Sequence, residues 1–295
     1  MFVLELKPQR VWGAEIAAEM FLSGTGSALF FLAVVLKGVG LLPARAALLG
    51  EWLGLGAVVL AAFFLLAHLG VPARFIQAFR RPHTSWLSRG AWSTTLFCAF
   101  AFLVVLPTLP GLETLPWGEG TLGGTVLSVV ALVFAVAVMA YSGLLLASWP
   151  AIPFWNTPLL PPLFMASSLL GAAGALLGVL ILEEGDALAL RLLTLSLALV
   201  VGLGLLFYLQ GMGGATAPAR AGAQLLLRGE GRWPFLLGAV AFGLVVPAVL
   251  LGVDFIDAPG AANAVLRGLS GILLLVGGFY LRRAILKAGV YGYPL

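Results

Sequence analysis

The sequence predicts an all-α integral membrane protein with eight transmembrane helices. Of its 295 residues, 61% are apolar and only 9% charged, with a mean hydropathy of +1.10. Soluble domains are about 45–50% apolar and about 25% charged, so a water-soluble globule is excluded. Eight windows reach the roughly 20 apolar residues that a helix needs to cross a bilayer without leaving backbone amides unpaired in hydrocarbon. Most connections between them are short and turn-like, as at 107–111 and 158–162, which leaves no room for an appended soluble domain.

The first span, near 14–36, carries Glu15 and Glu19 at its start. It outruns a signal-peptide core without a convincing cleavage site, and is expected to persist in the mature chain. The second, near 50–70, opens at Glu51 and ends at His68. The third, near 89–108, follows Ser85-Trp86-Leu87-Ser88-Arg89-Gly90, and the fourth, near 122–147, carries Tyr141. The fifth, near 159–182, contains Gly171, Gly174 and Gly178. The sixth, near 187–209, follows Glu183, Glu184 and Asp186 and contains Gly202 and Gly204. The seventh, near 234–253, stops at Asp254, and the eighth, near 263–288, contains Gly271, Gly277 and Gly278. Small residues at such positions let membrane helices approach closely, and packing is their ordinary reading.

An even number of spans puts both termini on one side, face A. That face receives Lys7, Arg10, Arg74, Arg80, Arg81, Arg89, Arg220, Arg228, Arg232, Arg282, Arg283 and Lys287. The opposite face B receives only Lys37, Arg45, Arg191 and Arg267, but collects Glu51, Glu113, Glu119, Glu183, Glu184, Asp186, Asp254 and Asp257. Cations scattered between apolar runs form no stripe for a phosphate backbone, so nucleic acid is not an expected partner despite the pI near 9.6. A single cysteine, Cys98, cannot support an internal disulfide, an iron-sulfur cluster or a structural zinc site. With His68 and His83 as the two histidines, no haem and no metal are expected in this chain. Gly24-Thr25-Gly26 lacks the preceding strand and third glycine of a dinucleotide site, and hydrolase, metalloprotease and phosphate-loop patterns are absent from the sequence.

Ionisable groups inside spans are costly and usually mark a pathway or site. Glu15 and Glu19 share one helical face, about 6 Å apart along the axis, with Glu19 the deeper. His68 and Tyr141, each unremarkable alone as an interfacial side chain, stand at the face A ends of the second and fourth spans. Because span directions alternate, Glu19, His68, Ser88, Arg89 and Tyr141 all fall at similar depth beneath face A among the first four spans. A carboxylate, an imidazole, a phenol and a guanidinium at that level suit a small amphipathic ligand arriving from lipid, with an apolar slot for its tail and a proton route for its head. A quinone, menaquinone or ubiquinone, meets that description.

Several strings resemble the NrfD/polysulfide reductase membrane-subunit family: His68-Leu69-Gly70-Val71-Pro72-Ala73-Arg74, Ser85 to Gly90, Tyr141-Ser142-Gly143, Pro150 to Pro161, and Ala288-Gly289-Val290-Tyr291. They are ordered and span nearly the whole chain. The resemblance implies two four-helix bundles, residues 1–150 with the quinone site and 151–295, without haem. It further implies a ferredoxin-like partner subunit carrying four iron-sulfur clusters, and a molybdopterin catalytic subunit. Tyr141 matches a tyrosine expected to hydrogen-bond a quinone carbonyl, and His68 a histidine associated with quinol oxidation. Glu19 occupies a position where some members have histidine, while Ile16 stands where those members can carry asparagine, with Glu15 as a compensating group. Asn156, in the Pro153-to-Pro161 string, joins the expected binding set.

The expected function is therefore a membrane subunit of a respiratory oxidoreductase complex, exchanging electrons between quinone and the iron-sulfur partner. A proton-coupled transporter or channel, with Glu51 extending a path from Glu19, and a pure membrane anchor are the alternatives. The expected location is the bacterial inner membrane. The charge count alone would turn face A toward the cytoplasm. The resemblance implies an extracytoplasmic face A, with its arginines docking an acidic partner, and that assignment is adopted; a cytoplasmic partner is the other resolution.

Overall fold

The computed structural model describes residues 7–68, 72–182, 187–254 and 261–292, with the side chains of 67, 68, 72–75 and 261 outside that description. Its long helices are α1 (Ala14–Gly38), α2 (Ala44–His68), α3 (Trp86–Val105), α4 (Leu122–Ala147), α5 (Leu160–Ile181) and α6 (Leu188–Gly214). A short helix α7 (Ala217–Leu227) follows. The seventh span is a π-helical segment, Pro234–Val245, continued by α8 (Val246–Val253), and α9 (Ala261–Lys287) closes the fold. Among the described residues, 8 helices are long and apolar enough to cross a membrane. The protein is an all-α, eight-span membrane protein.

Local chemistry sets the ends. Ser85 caps α3 by accepting from the Ser88 amide, and Thr121 caps α4 by accepting from the Gly124 amide. Prolines occupy the first turns of α5 and α7, where a missing amide proton costs nothing. Gly40, Gly111 and Gly120 turn the face B connections with φ of 74°, 85° and 80°. α2 starts at Ala44 rather than near 50, because its first turn holds Arg45 at the interface and contributes little hydropathy. Two surface elements carry too little apolar sequence to register as spans: a 3-10 segment at Pro72–Phe79, and α7.

α1 and α5 are central. Their apolar windows are 72% and 67% buried, against 22–44% for the other spans. α1 packs on α2, α4, α5 and α9, and α5 packs on α1, α4, α6 and α9. Glycines permit the closest crossings: a Cβ on Gly54 would lie 2.7 Å from the Gly26 carbonyl oxygen, and one on Gly277 would lie 2.0 Å from the Cα of Gly243.

The first and last described segments meet at one end, where Pro8 and Val290 form an antiparallel bridge; the Gln9 amide donates to the Gly289 carbonyl and the Tyr291 amide to that of Lys7. The Pro153-to-Pro161 segment is pinned beside this bridge. Trp155 Nε1 donates to the Ile285 carbonyl at 2.8 Å, and Tyr208 donates to the Phe154 carbonyl at 2.6 Å. At face B, Lys37 pairs with buried Glu51 at 2.8 Å. Asp254, also buried, holds Arg191 at 2.6 Å and Arg267 at 2.9 Å.

Arg282 differs from the other face A cations, among which the charge count placed it. It is fully buried on α9, its guanidinium donating to the Met20 carbonyl of α1, the Gly278 carbonyl, and the Phe164 carbonyl and Ser168 hydroxyl of α5. One side chain thus ties α1, α5 and α9.

Candidate functional site

A cavity of about 490 Å³ opens beneath face A among α1 to α4 and the segment after α2. Its inner wall carries Glu19, Ser23 and Tyr141, its α3 wall Ser88, Gly90, Thr94 and Thr95, and its α2 wall Ala61, Ala62 and Leu65. Gln77, Arg80 and Arg81, from the connection between α2 and α3, complete the rim. The volume lies within the range of about 300–1,000 Å³ usual for small-molecule sites, with a mostly apolar lining and a few convergent polar groups.

The inner wall is built by three helices. α1 is the most buried span, so Glu19 is carried into the body and is only 7% exposed. α4 presents Tyr141 opposite, and its hydroxyl donates to Glu19 Oε1 at 2.6 Å, a bond buried at both ends. With Glu19 ionised, this hydrogen bond is of the strong, charge-assisted kind. An ionised carboxylate offers about four acceptor positions, of which the phenol uses one, so Glu19 keeps capacity toward the cavity.

Gly90 of α3 makes the arrangement possible. A Cβ there would fall 2.3 Å from Tyr141 Cδ2 and 2.6 Å from Cε2, so the ring lies flush against the α3 backbone. From α4, Gly143 allows the backbone of α5 to approach at Pro161, fixing the helix that bears the tyrosine.

The expected residues separate by position. Glu19, Ser88 and Tyr141 converge on the cavity wall. Glu15, one turn before Glu19, is exposed and folds back toward Gly13, since the face it shares with Glu19 leaves the protein at the first turn of α1. Arg89 turns away to clamp the loop before α3, donating to the Pro82 carbonyl at 2.9 Å and that of His83 at 2.7 Å, with its guanidinium over the Trp86 ring. Asn156 donates to the Ala147 carbonyl at the end of α4, in the pinned segment and outside the cavity lining. The His68 side chain lies outside the described residues. Ser23, Gln77, Thr94 and Thr95 line the cavity without having been singled out, as isolated polar residues in helices and loops carry little signal, while Arg80 and Arg81, named among the face A cations, stand at its rim. Gly90 was legible as the last residue of the Ser85-to-Gly90 string, but its role depends on which ring faces it.

The described residues contain no cluster of three or more His, Cys, Asp or Glu side chains able to hold a metal ion. Fold and cavity define the class: a polytopic membrane protein with a ligand-sized cleft, lined by a buried carboxylate–phenol pair, beneath one face. Residues 3–292 match the family model described as "Polysulphide reductase, NrfD". The chain is also 30% identical to Protein NrfD of Escherichia coli (strain K12), over 95% of each sequence. It therefore belongs to the NrfD/polysulphide reductase family, which generally supplies membrane subunits of oxidoreductase complexes with iron-sulfur and molybdopterin partners.

Proposed function

We propose that this chain is the quinone-reactive membrane subunit of a respiratory oxidoreductase complex in the bacterial inner membrane, exchanging electrons in either direction with an iron-sulfur subunit docked on an extracytoplasmic face A. In this reading the chain divides into two four-helix bundles, residues 1–150 around the cavity and 151–295 behind it. The observation that carries the reading is the 490 Å³ cleft with the Glu19–Tyr141 pair in its wall.

The residues fit a quinone head group. Ala61, Ala62, Leu65, Leu87 and Ala91 give apolar surface for a ring, and Ser88 and Thr94 give hydroxyls for carbonyl oxygens, since the Tyr141 hydroxyl donates to Glu19 and that of Thr95 to the Ala91 carbonyl. A bound quinone supplies reversible two-electron, two-proton chemistry. Glu19 receives one of the two protons released on quinol oxidation, the neighbouring polar groups of the cleft take the other, and both are returned in the reverse direction. Tyr141 holds Glu19 Oε1 and fixes the carboxylate's orientation, so that no reorientation is needed at the moment of transfer. Arg80 and Arg81 at the rim place positive charge where an acidic partner would seat.

Replacing Glu19 with Gln keeps the shape and removes the base. Quinol-driven turnover of the assembled complex should fall at least tenfold, while partner subunits still co-purify in normal amounts. Undiminished turnover would remove Glu19 from the reaction. Sealed proteoliposomes holding this chain alone should carry no solute flux; flux without a redox partner would make it a transporter.

A further inference from the structure

A second cavity, of about 710 Å³, lies on the far side of the molecule between α6 and the seventh span. α6 packs on α8, and this groove parts α6 from the π-helical segment, reaching past mid-membrane to Leu195 on α6 and Val249 on α8. Every residue lining it is apolar or glycine. Buried Leu205 and Phe235 form part of its floor, and Leu199, Leu203, Leu206, Val245 and Val249 form exposed walls. On α6 it runs from Leu195 to Leu209, about 21 Å at 1.5 Å per residue, compared with about 15 Å for one leaflet's hydrocarbon.

Its mouth is different in kind. Leu227, the last residue of α7, and Phe235 border the groove, and the turn that joins them carries Arg228, Arg232 and Trp233, all exposed. The Arg232 guanidinium stands 4.9 Å from the Trp233 ring centre, and Arg220 is held over the end of α6 by its bond to the Gly213 carbonyl. Glu230 is the acidic residue of this turn. Arg228, which also borders a separate hollow beside Pro8 and Val290, and Arg232 thus set two cations against one glutamate in the turn beside an apolar slot of acyl-chain depth, matching a phosphate head with its tail beneath.

We propose that this groove is a binding site for one anionic phospholipid, its acyl chain between α6 and the seventh span and its phosphate at Arg228 and Arg232. The site is separate from the Glu19 cleft and does not depend on what that cleft binds. The wall also offers a clean way to fill the slot: Gly202 borders the groove, and a Cβ there meets nothing within 4 Å.

The test uses the assembled complex, purified in mild detergent, incubated with equimolar phosphatidylglycerol and phosphatidylcholine, and examined by native mass spectrometry. Wild type should retain one phosphatidylglycerol. Gly202→Phe should reduce that retention at least tenfold while quinol turnover stays unchanged, and R228Q/R232Q should bind both lipids equally. Equal retention in Gly202→Phe and wild type, or no retained phospholipid in wild type, would overturn the proposal. So would Gly202→Phe releasing a second copy or a partner helix, or an adduct whose mass is that of a prenylated quinone.

Discussion

Substituting Gly90 with Ala adds one methyl group, and the geometry fixes where it goes. The new Cβ would sit 2.3 Å from Tyr141 Cδ2, so the ring must retreat by about 1.2 Å to regain carbon–carbon contact near 3.5 Å. The Tyr141–Glu19 bond, at 2.6 Å, tolerates about 0.4 Å of stretch before leaving the roughly 2.5–3.0 Å range of O–H···O bonds. α3 could share the displacement only by withdrawing its backbone from α4, against which it is packed. The bond is therefore expected to break or distort badly. A hydrogen bond to a charged group is worth about 1.5–3 kcal/mol, which corresponds to a loss of roughly 10- to 150-fold. Quinol turnover of the assembled complex and titration with a quinone-analogue inhibitor measure it. Tyr141→Phe removes the same bond without the added methyl and should fall in the same range. Because both changes act on one bond, the double variant should be little worse than Tyr141→Phe alone. Wild-type turnover and inhibitor affinity in Gly90→Ala would refute the reasoning, and so would strict additivity in the double variant.

Other predictions concern the parts of the molecule that hold the site in place. Arg282→Gln strips guanidinium bonds from the Met20 and Phe164 carbonyls and the Ser168 hydroxyl; with about 1–3 kcal/mol for each buried group left unsatisfied, the melting temperature and complex yield should both drop sharply. Asp254→Asn leaves Arg191 and Arg267 without their shared carboxylate and should destabilise by about 3–5 kcal/mol, read by thermal unfolding in detergent, with little change in inhibitor affinity since face B is remote from the cleft. Gly277→Ala drives a methyl into the Gly243 backbone and should cost about 1–3 kcal/mol through forced separation of α9 from the seventh span, again visible in thermal unfolding.

Much of this protein was legible in one dimension. The number of spans, their alternation and the side to which each end belongs follow from runs of apolar residues, because hydrocarbon accepts backbone only in helices of sufficient length. Alternation in turn brings Glu19, Ser88 and Tyr141 to one level, and sharing a level is necessary for sharing a site. Level alone is insufficient: rotation about each helix axis decides which side chains meet. Arg89 follows Ser88 by one residue, about 100° around the helix, and turns to the Pro82 and His83 carbonyls instead of the cleft. Glu15 has the rotation of Glu19 but lies a turn nearer the end, where α1 has left its neighbours.

Rotation was hard to read because lipid and protein interior are equally apolar, so spans lack the polar stripe that orients a soluble helix. Only packing against α2, α4, α5 and α9 settled that α1 is central and that its carboxylate faces inward. The same packing took Arg282 from the cationic face to the core, and set Gly90 against Tyr141. Sequence determined how often the chain crosses the membrane and which chemistry each end can offer, since transfer from water to hydrocarbon depends on composition. Tertiary structure decided which groups touch, since contact depends on helix rotation and on the few positions where a missing side chain lets two backbones close.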